Sequence, residues 1–337
     1  MKLFIAGICG TFMAGVAQLA KAGGHAVRGC DAGVYPPMSE VLRAQGIAIE
    51  PGYLPEHLGD DPGAVLIGNA LSRGNALVER VLERGLAYQS GPEWLRAQVL
   101  ARRTVIAIAG THGKTTATSM LAWILHRAGR SPGYLIGGQP GNFAQSARLG
   151  DGECFVIEAD EYDTAFFDKR AKFVHYRPRI AVLNNLEFDH ADIFDHLAQI
   201  QRQFHYLVRT VPPDGCIVVN ADDANLAEVL AMGCWSEVVR FSADDATDAQ
   251  WHAVPLREDC AAFEVLHRGR SAARVEWQCI GAHNMRNALA AIAAAAQVGV
   301  PATAAGDALG AYAPAARRLQ RLFESDAARL YDDFAHH

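Results

Sequence analysis

Three groups of residues in this 337-residue chain have the types and spacing for phosphate and metal chemistry. The first is Gly110-Thr-His-Gly-Lys-Thr-Thr116. Two glycines bracket a tight turn, Lys114 supplies a cation for terminal phosphates, and Thr115 supplies a hydroxyl for Mg²⁺. Gly110, Thr111, His112, Gly113, Lys114, Thr115 and Thr116 are therefore candidates for holding a nucleotide. The usual pattern wants glycine at position 108, where Ile108 stands, so the loop is a variant. The second group is the acidic run from Glu158 to Asp163. Such a run is commonly a solvated loop, but this one follows an apolar strand, where an acid that helps hold a metal beside a phosphate loop belongs. The third is Asp189-His190, at the end of another apolar run. Lys114, Glu158 and His190 are the candidate catalytic set.

These groups need strands and a helix to place them. Thr104 to Ala109 is a short apolar run of the kind expected for a parallel strand buried on both faces. After the loop, Met120, Leu121, Ile124, Leu125 and Ala128 recur at helical spacing, and Gly129 stands where a helix C-terminal glycine belongs. Cys154–Ile157 and Ile180–Leu183 are two further buried strands. If the sheet is parallel, all three strand ends meet at one crevice, which points to a ligand more strongly than any single motif does.

The expected fold is α/β: an N-terminal Rossmann-like domain over residues 1–100, then a P-loop-type mononucleotide-binding α/β domain over 101–314. In the first, Lys2–Ala6 leads into Gly7-Ile-Cys-Gly10 and a helix to Gly23, and a second strand, His25–Cys30, ends at Asp31. An acid there can hold a ribose hydroxyl, although Cys9 occupies the place of the second glycine and a plain turn fits equally. Ala64–Gly68 is a strand followed by the polar run Asn69–Asn75, and Gly91-Pro92 opens a helix to about Arg102. In the second domain, Leu197–Val208 and Asp222–Met232 read as helices, Cys216–Asn220 as a strand, and 236–280 as β-rich. A helix then starts at Gly281, with His283, Asn284 and Asn287 near one face; asparagines there cap a helix or read an adenine edge, and by themselves favour capping.

Half of the chain is hydrophobic and a fifth is charged, as in ordinary globular proteins. The formal net charge of −6 leaves no footprint for nucleic acid or an anionic membrane. No apolar run approaches the roughly 18 residues of a spanning helix, and the N-terminus has no signal-peptide layout. Seven dispersed cysteines suit reduced thiols, so a cytoplasmic location is expected.

Taken in order, Gly110–Thr116, Glu158-Ala-Asp-Glu161, Asp189-His-Ala-Asp192, Gly281-Ala-His-Asn-Met-Arg-Asn287 and Arg317-Arg318 resemble the Mur ligases, which build peptidoglycan peptides by ATP-driven amide formation. Gly7–Met13, Asp31 with Val34–Ser39, and Phe166–Phe173 resemble the branch that joins UDP-N-acetylmuramate to the murein tripeptide L-Ala-γ-D-Glu-meso-diaminopimelate in cell-wall recycling. The branch that adds L-alanine to the same nucleotide sugar is the alternative. The resemblance implies ATP and Mg²⁺, with Thr115 and Glu158 on one metal and His190 on a second. It implies an acyl phosphate of the muramate carboxylate that the incoming amine displaces. It also puts adenine near Asn284 and Asn287, a phosphate contact at Arg317, and the uridine diphosphate around Gly10, Thr11, Asp31 and Ser72.

Two features depart from the family pattern. Several Mur ligases carry a carbamylated lysine in the central domain, whereas the last of the five lysines here is Lys172, and His205 stands about where that lysine falls. Family members also continue into a third domain that carries the tripeptide site. Residues 315–337 are expected to be the truncated start of that domain, and this chain alone is expected to be inactive. Two readings from other classes compete. An NAD-dependent oxidoreductase needs no convergence of Lys114, Glu158 and His190, and a nucleotide sensor needs no second metal ligand.

Overall fold

The structure is a computed structural model, and it describes residues 1–189, 194–244, 247–317, 320–325 and 328–333. The chain forms two compact units. One comprises Met1–Arg103, Ala147–Leu149 and Asp160–Tyr176, and the other Thr104–Ser146, Gly150–Ala159 and Arg177–His337.

In the first unit a parallel sheet runs in the order Ala48–Pro51, Ala26–Asp31, Lys2–Ala6, Ala64–Ile67, Tyr88–Ser90. Leu3 to Ala6 and Val65 to Ile67 are essentially inaccessible, which is why these strands read as continuous apolar runs without alternation. The strand order reverses beside Lys2–Ala6, and such a reversal opens a crevice at the strands' carboxyl ends. Helix Thr11–Ala22 starts at that crevice. The helix expected from Gly91 to Arg102 is regular only over Gly91–Leu95, where Ser90 and Glu93 form a reciprocal capping box; a π-helical turn, Arg96–Leu100, follows.

In the second unit the sheet runs Arg270–Glu276, Ala262–His267, Trp251–Pro255, Glu237–Ser242, Cys216–Asn220, Ile180–Leu183, Thr104–Ala109, Cys154–Ala159, Gly133–Leu135. From Trp251–Pro255 onward in that order the pairs are parallel; the first two pairs are antiparallel and form the β-rich stretch. Helices Lys114–Arg127, Ala282–Ala296 and Ala302–Gly310 pack on one another against the sheet. Ala288, Ala290, Ala291 and Ala293 to Ala295 are fully buried, and their small side chains let that helix lie close to the strands.

The continuous span expected for the second domain is interrupted. Asp160–Tyr176, with its antiparallel hairpin Asp163–Ala165 and Asp168–Ala171, belongs to the first unit. Local periodicity carries no information about such a return, because the partners are distant in sequence. The strand before it is also longer than its apolar run: it extends to Ala159, so Glu158 lies inside the ladder, in register with Ile108. All seven cysteines are unpaired thiols. Among the described residues, no helix is long and apolar enough to cross a membrane.

Candidate active site

The second unit places the glycine loop at the carboxyl end of Thr104–Ala109. Gly113 takes φ +76°, a left-handed conformation that glycine adopts without penalty, and so turns the chain into helix Lys114–Arg127. A Cβ on Gly113 would overlap Asn287 Oδ1. Lys114 Nζ folds back over the turn and donates to Gly110 O at 2.7 Å and Thr111 O at 3.3 Å. An ammonium held on carbonyls at the helix N-terminus is suited to exchange them for phosphate oxygens.

The loop is held by the end of the neighbouring strand, Ile180–Leu183. His112 N donates to Asn185 Oδ1 at 2.7 Å, and Asn185 Nδ2 returns a bond to His112 O at 3.0 Å. Thr111 Oγ1 accepts from Glu187 N at 2.9 Å. Asn184 Nδ2 donates to Asn287 Oδ1 at 2.7 Å, and Asn287 is only 5% exposed. Asn287 therefore supports the loop from behind, and neither it nor Asn284 caps the helix: Asn284 Nδ2 donates to Ile280 O at 2.8 Å. Asn184 and Asn185 hold the loop, and the motif spacing alone does not single them out. The tandem asparagine at a strand end beside the loop was their visible signal.

Thr115 Oγ1 lies 3.0 and 3.1 Å from the two carboxylate oxygens of Glu158, and Gly137 N donates to Glu158 Oε2 at 2.7 Å. A side chain on Gly137 would overlap that carboxylate. A hydroxyl and a carboxylate brought together by two separate elements make a hard-oxygen donor set, which fits Mg²⁺. His190 lies outside the described residues. Arg317 is described, with φ +58° and its Nε 3.7 Å from Asp332 Oδ1.

The first unit holds a second candidate, a cleft of about 340 Å³ at the strand-order reversal, lined by the glycine turn Gly7–Thr11, by Asp31 and by Gly68-Asn69. Gly10 and Thr11 thus reach the cleft as expected. Asp31 does too, but as the organiser of its wall: its carboxylate accepts from Cys9 N at 2.8 Å, Gly33 N at 2.9 Å and Tyr53 OH at 3.2 Å. Burial and then the Asp31 charge push the Cys9 thiol up to about 11 and the Tyr53 hydroxyl up to about 12. Ser72 does not line this cleft; it is exposed, and its carbonyl accepts the Asn75 N–H in the turn before helix Ala76–Glu83. Asp160 and Lys172, which the sequence reading did not select for the site, do line it.

Residues 4–103 match the model of the Mur ligase family catalytic domain, and residues 108–295 that of the Mur ligase middle domain. The chain belongs to the Mur ligase family. It is 54% identical, over its whole length and 73% of the relative's, to the UDP-N-acetylmuramate–L-alanyl-γ-D-glutamyl-meso-2,6-diaminoheptandioate ligase of Escherichia coli K12. The crystal structure of the ligase of the same specificity from Neisseria meningitides superposes with a TM-score of 0.89 at 52% identity, covering 94% of this chain and 99% of that one. A UDP-N-acetylmuramate–L-alanine ligase of Aquifex aeolicus is 31% identical over the whole chain and 72% of its own length. As a Mur ligase, the chain carries the ATP-dependent ligase framework of that family.

Proposed function

We propose that this Mur ligase joins UDP-N-acetylmuramate to the tripeptide L-Ala-γ-D-Glu-meso-diaminopimelate with ATP, activating the muramate carboxylate by phosphoryl transfer. The observation that carries the chemistry is the contact between Thr115, next to Lys114 at the start of the helix after the glycine loop, and Glu158 on the adjacent strand. Identity supports the tripeptide over L-alanine as the amine, since the chain is 54% identical to the tripeptide ligase against 31% to the Aquifex alanine ligase.

In this reading Lys114 leaves the Gly110 and Thr111 carbonyls for the β- and γ-phosphates, while Gly113 keeps the first-turn amides aimed at them. Thr115 and Glu158 would hold a metal, which when bound would supply charge neutralisation for phosphoryl transfer. His190 is the candidate for a second metal. Asn184, Asn185 and Asn287 keep the loop in shape, which matters because in-line transfer depends chiefly on alignment. Asn284 remains the adenine candidate and Arg317 the further phosphate contact, whereas Asn287, 5% exposed and bonded to Asn184, is taken up by the support of the loop. In the first unit, Gly10 and Thr11 open helix Thr11–Ala22, whose positive end attracts the diphosphate of the nucleotide sugar. Asp31 acts by fixing the turn that presents those amides.

A thermal-shift panel tests the reading. UDP-N-acetylmuramate and Mg-ATP each raise the melting temperature and NAD does not. Stabilisation by NAD alone would support the oxidoreductase reading instead.

A further inference from the structure

Lys172 stands in the cleft of the first unit without a part in the chemistry described so far. Its side chain is 9% exposed, and its Nζ lies 3.1 Å from Asp160 Oδ2, which uses one of three N–H donors. The faces of Tyr162 and Phe12 lie 5.5 and 5.9 Å from that nitrogen, so two aromatic rings and one carboxylate fix the ammonium. Burying an ammonium costs several kcal/mol unless it is well paired, so a lysine held this way is a poor choice for packing alone.

The charge in the cleft shows what the lysine is for. Among the described lining residues Lys172 is the one cation, facing the carboxylates of Asp31 and Asp160. Asp31 already accepts three protein hydrogen bonds, and the remaining attraction for an anion comes from the helix N-terminus at Gly10-Thr11. A diphosphate adds charge of the same sign as both carboxylates and needs a cation opposite that helix end.

We infer that Lys172 is a positioning residue for the diphosphate of a uridine nucleotide sugar, donating to a phosphate oxygen across from the Gly7–Thr11 turn, with Asp160 and the two rings holding the ammonium in place. This rests on the proposed nucleotide-sugar substrate and names the residue that grips its charged centre. The hairpin segment that returns to the first unit thereby supplies the cation that the glycine turn lacks.

The test is calorimetric titration of wild type, Lys172→Met and Lys172→Arg with uridine, UDP, UDP-N-acetylglucosamine and UDP-N-acetylmuramate. Lys172→Met should weaken the three diphosphate ligands by about ten- to a hundredfold, leave uridine unchanged, and be partly rescued in Lys172→Arg. Three results overturn the inference: unchanged UDP affinity, a loss confined to UDP-N-acetylmuramate (which would assign Lys172 to the lactyl carboxylate), or an equal loss for uridine. If wild type binds none of the uridine nucleotides, the proposed substrate fails first. Should Lys172→Met not fold, wild-type lysine NMR decides. The chain has five lysines, and the ε-methylene signal shifted by the Phe12 and Tyr162 rings must move with UDP but not with uridine. No movement with UDP overturns the inference.

Discussion

Thr115 Oγ1 is equidistant, within 0.1 Å, from the two carboxylate oxygens of Glu158, at 3.0 and 3.1 Å. The contact joins the first turn of the helix after the glycine loop to the last residues of an adjacent strand, 43 positions away. If this pair holds Mg²⁺, Glu158→Gln raises the metal concentration needed for ATP binding by roughly one to two orders of magnitude, with the apo fold unchanged. ATP affinity measured across a Mg²⁺ series provides the check, and superimposable curves for wild type and variant would make Glu158 purely structural.

Gly113 has no room for a side chain and sits at φ +76°. Gly113→Ala combines left-handed strain of roughly 1–2 kcal/mol with a collision against Asn287 Oδ1. Denaturant unfolding of Gly113→Ala, Asn287→Ala and the double variant separates the two. The double variant should lose less than the sum of the single losses, because removing the Asn287 amide relieves the collision but not the strain. Additive losses would mean that the two residues do not meet.

Asp31→Asn should weaken UDP-N-acetylmuramate binding while Mg-ATP binding in the second unit stays unchanged. The same substitution removes a negative charge beside Cys9, whose thiol stands at about 11, so its pKa falls and its alkylation near pH 8 speeds up. Peptide mapping after timed alkylation reads this. Equal loss of both ligands, or no change at Cys9, would contradict the role of Asp31 in fixing the glycine turn.

The parts legible in sequence were those whose signal is local. Strands Thr104–Ala109, Ile180–Leu183 and Cys216–Asn220 form where the apolar runs put them, because burial on both faces leaves an unbroken hydrophobic stretch, and helix Leu197–Val208 forms where apolar residues recur at helical spacing, with Ile200, Phe204, Leu207 and Val208 buried. The glycine loop was legible because backbone geometry demands those glycines. What holds it was not, since Asn184 meets Asn287 across 103 positions and no local pattern records that. Asp31 was found at the expected strand end, but its three protein donors depend on how two loops fold back. The return of Asp160–Tyr176 to the first unit, and with it Lys172, had no local signature at all.

His175 gives a pH signature. It is 8% exposed on its side chain, with Nε2 3.0 Å from Asp168 Oδ2, and Asp168 is also gripped by Arg170. Burial lowers the imidazole pKa despite the raising effect of Asp168. The folded state thus prefers the neutral ring, so this contribution to stability is complete above the unfolded value of about 6.5 and is lost as pH falls below it. Burial lowers His25 and His267 as well, so the measurement is a difference: melting temperature from pH 7 to 5 should fall less steeply in His175→Gln than in wild type. Parallel curves would show that His175 carries no such linkage.

ATP binding turns on Lys114, whose Nζ rests 2.7 Å from Gly110 O in the loop that would receive the triphosphate. Calorimetric titration of Mg-ATP into wild type and Lys114→Ala tests it most directly. Lys114→Ala should lose about 2–3 kcal/mol in binding free energy with an unchanged circular dichroism spectrum, the expected cost of removing a charge-assisted phosphate contact. Equal ATP affinity in the two proteins would contradict it.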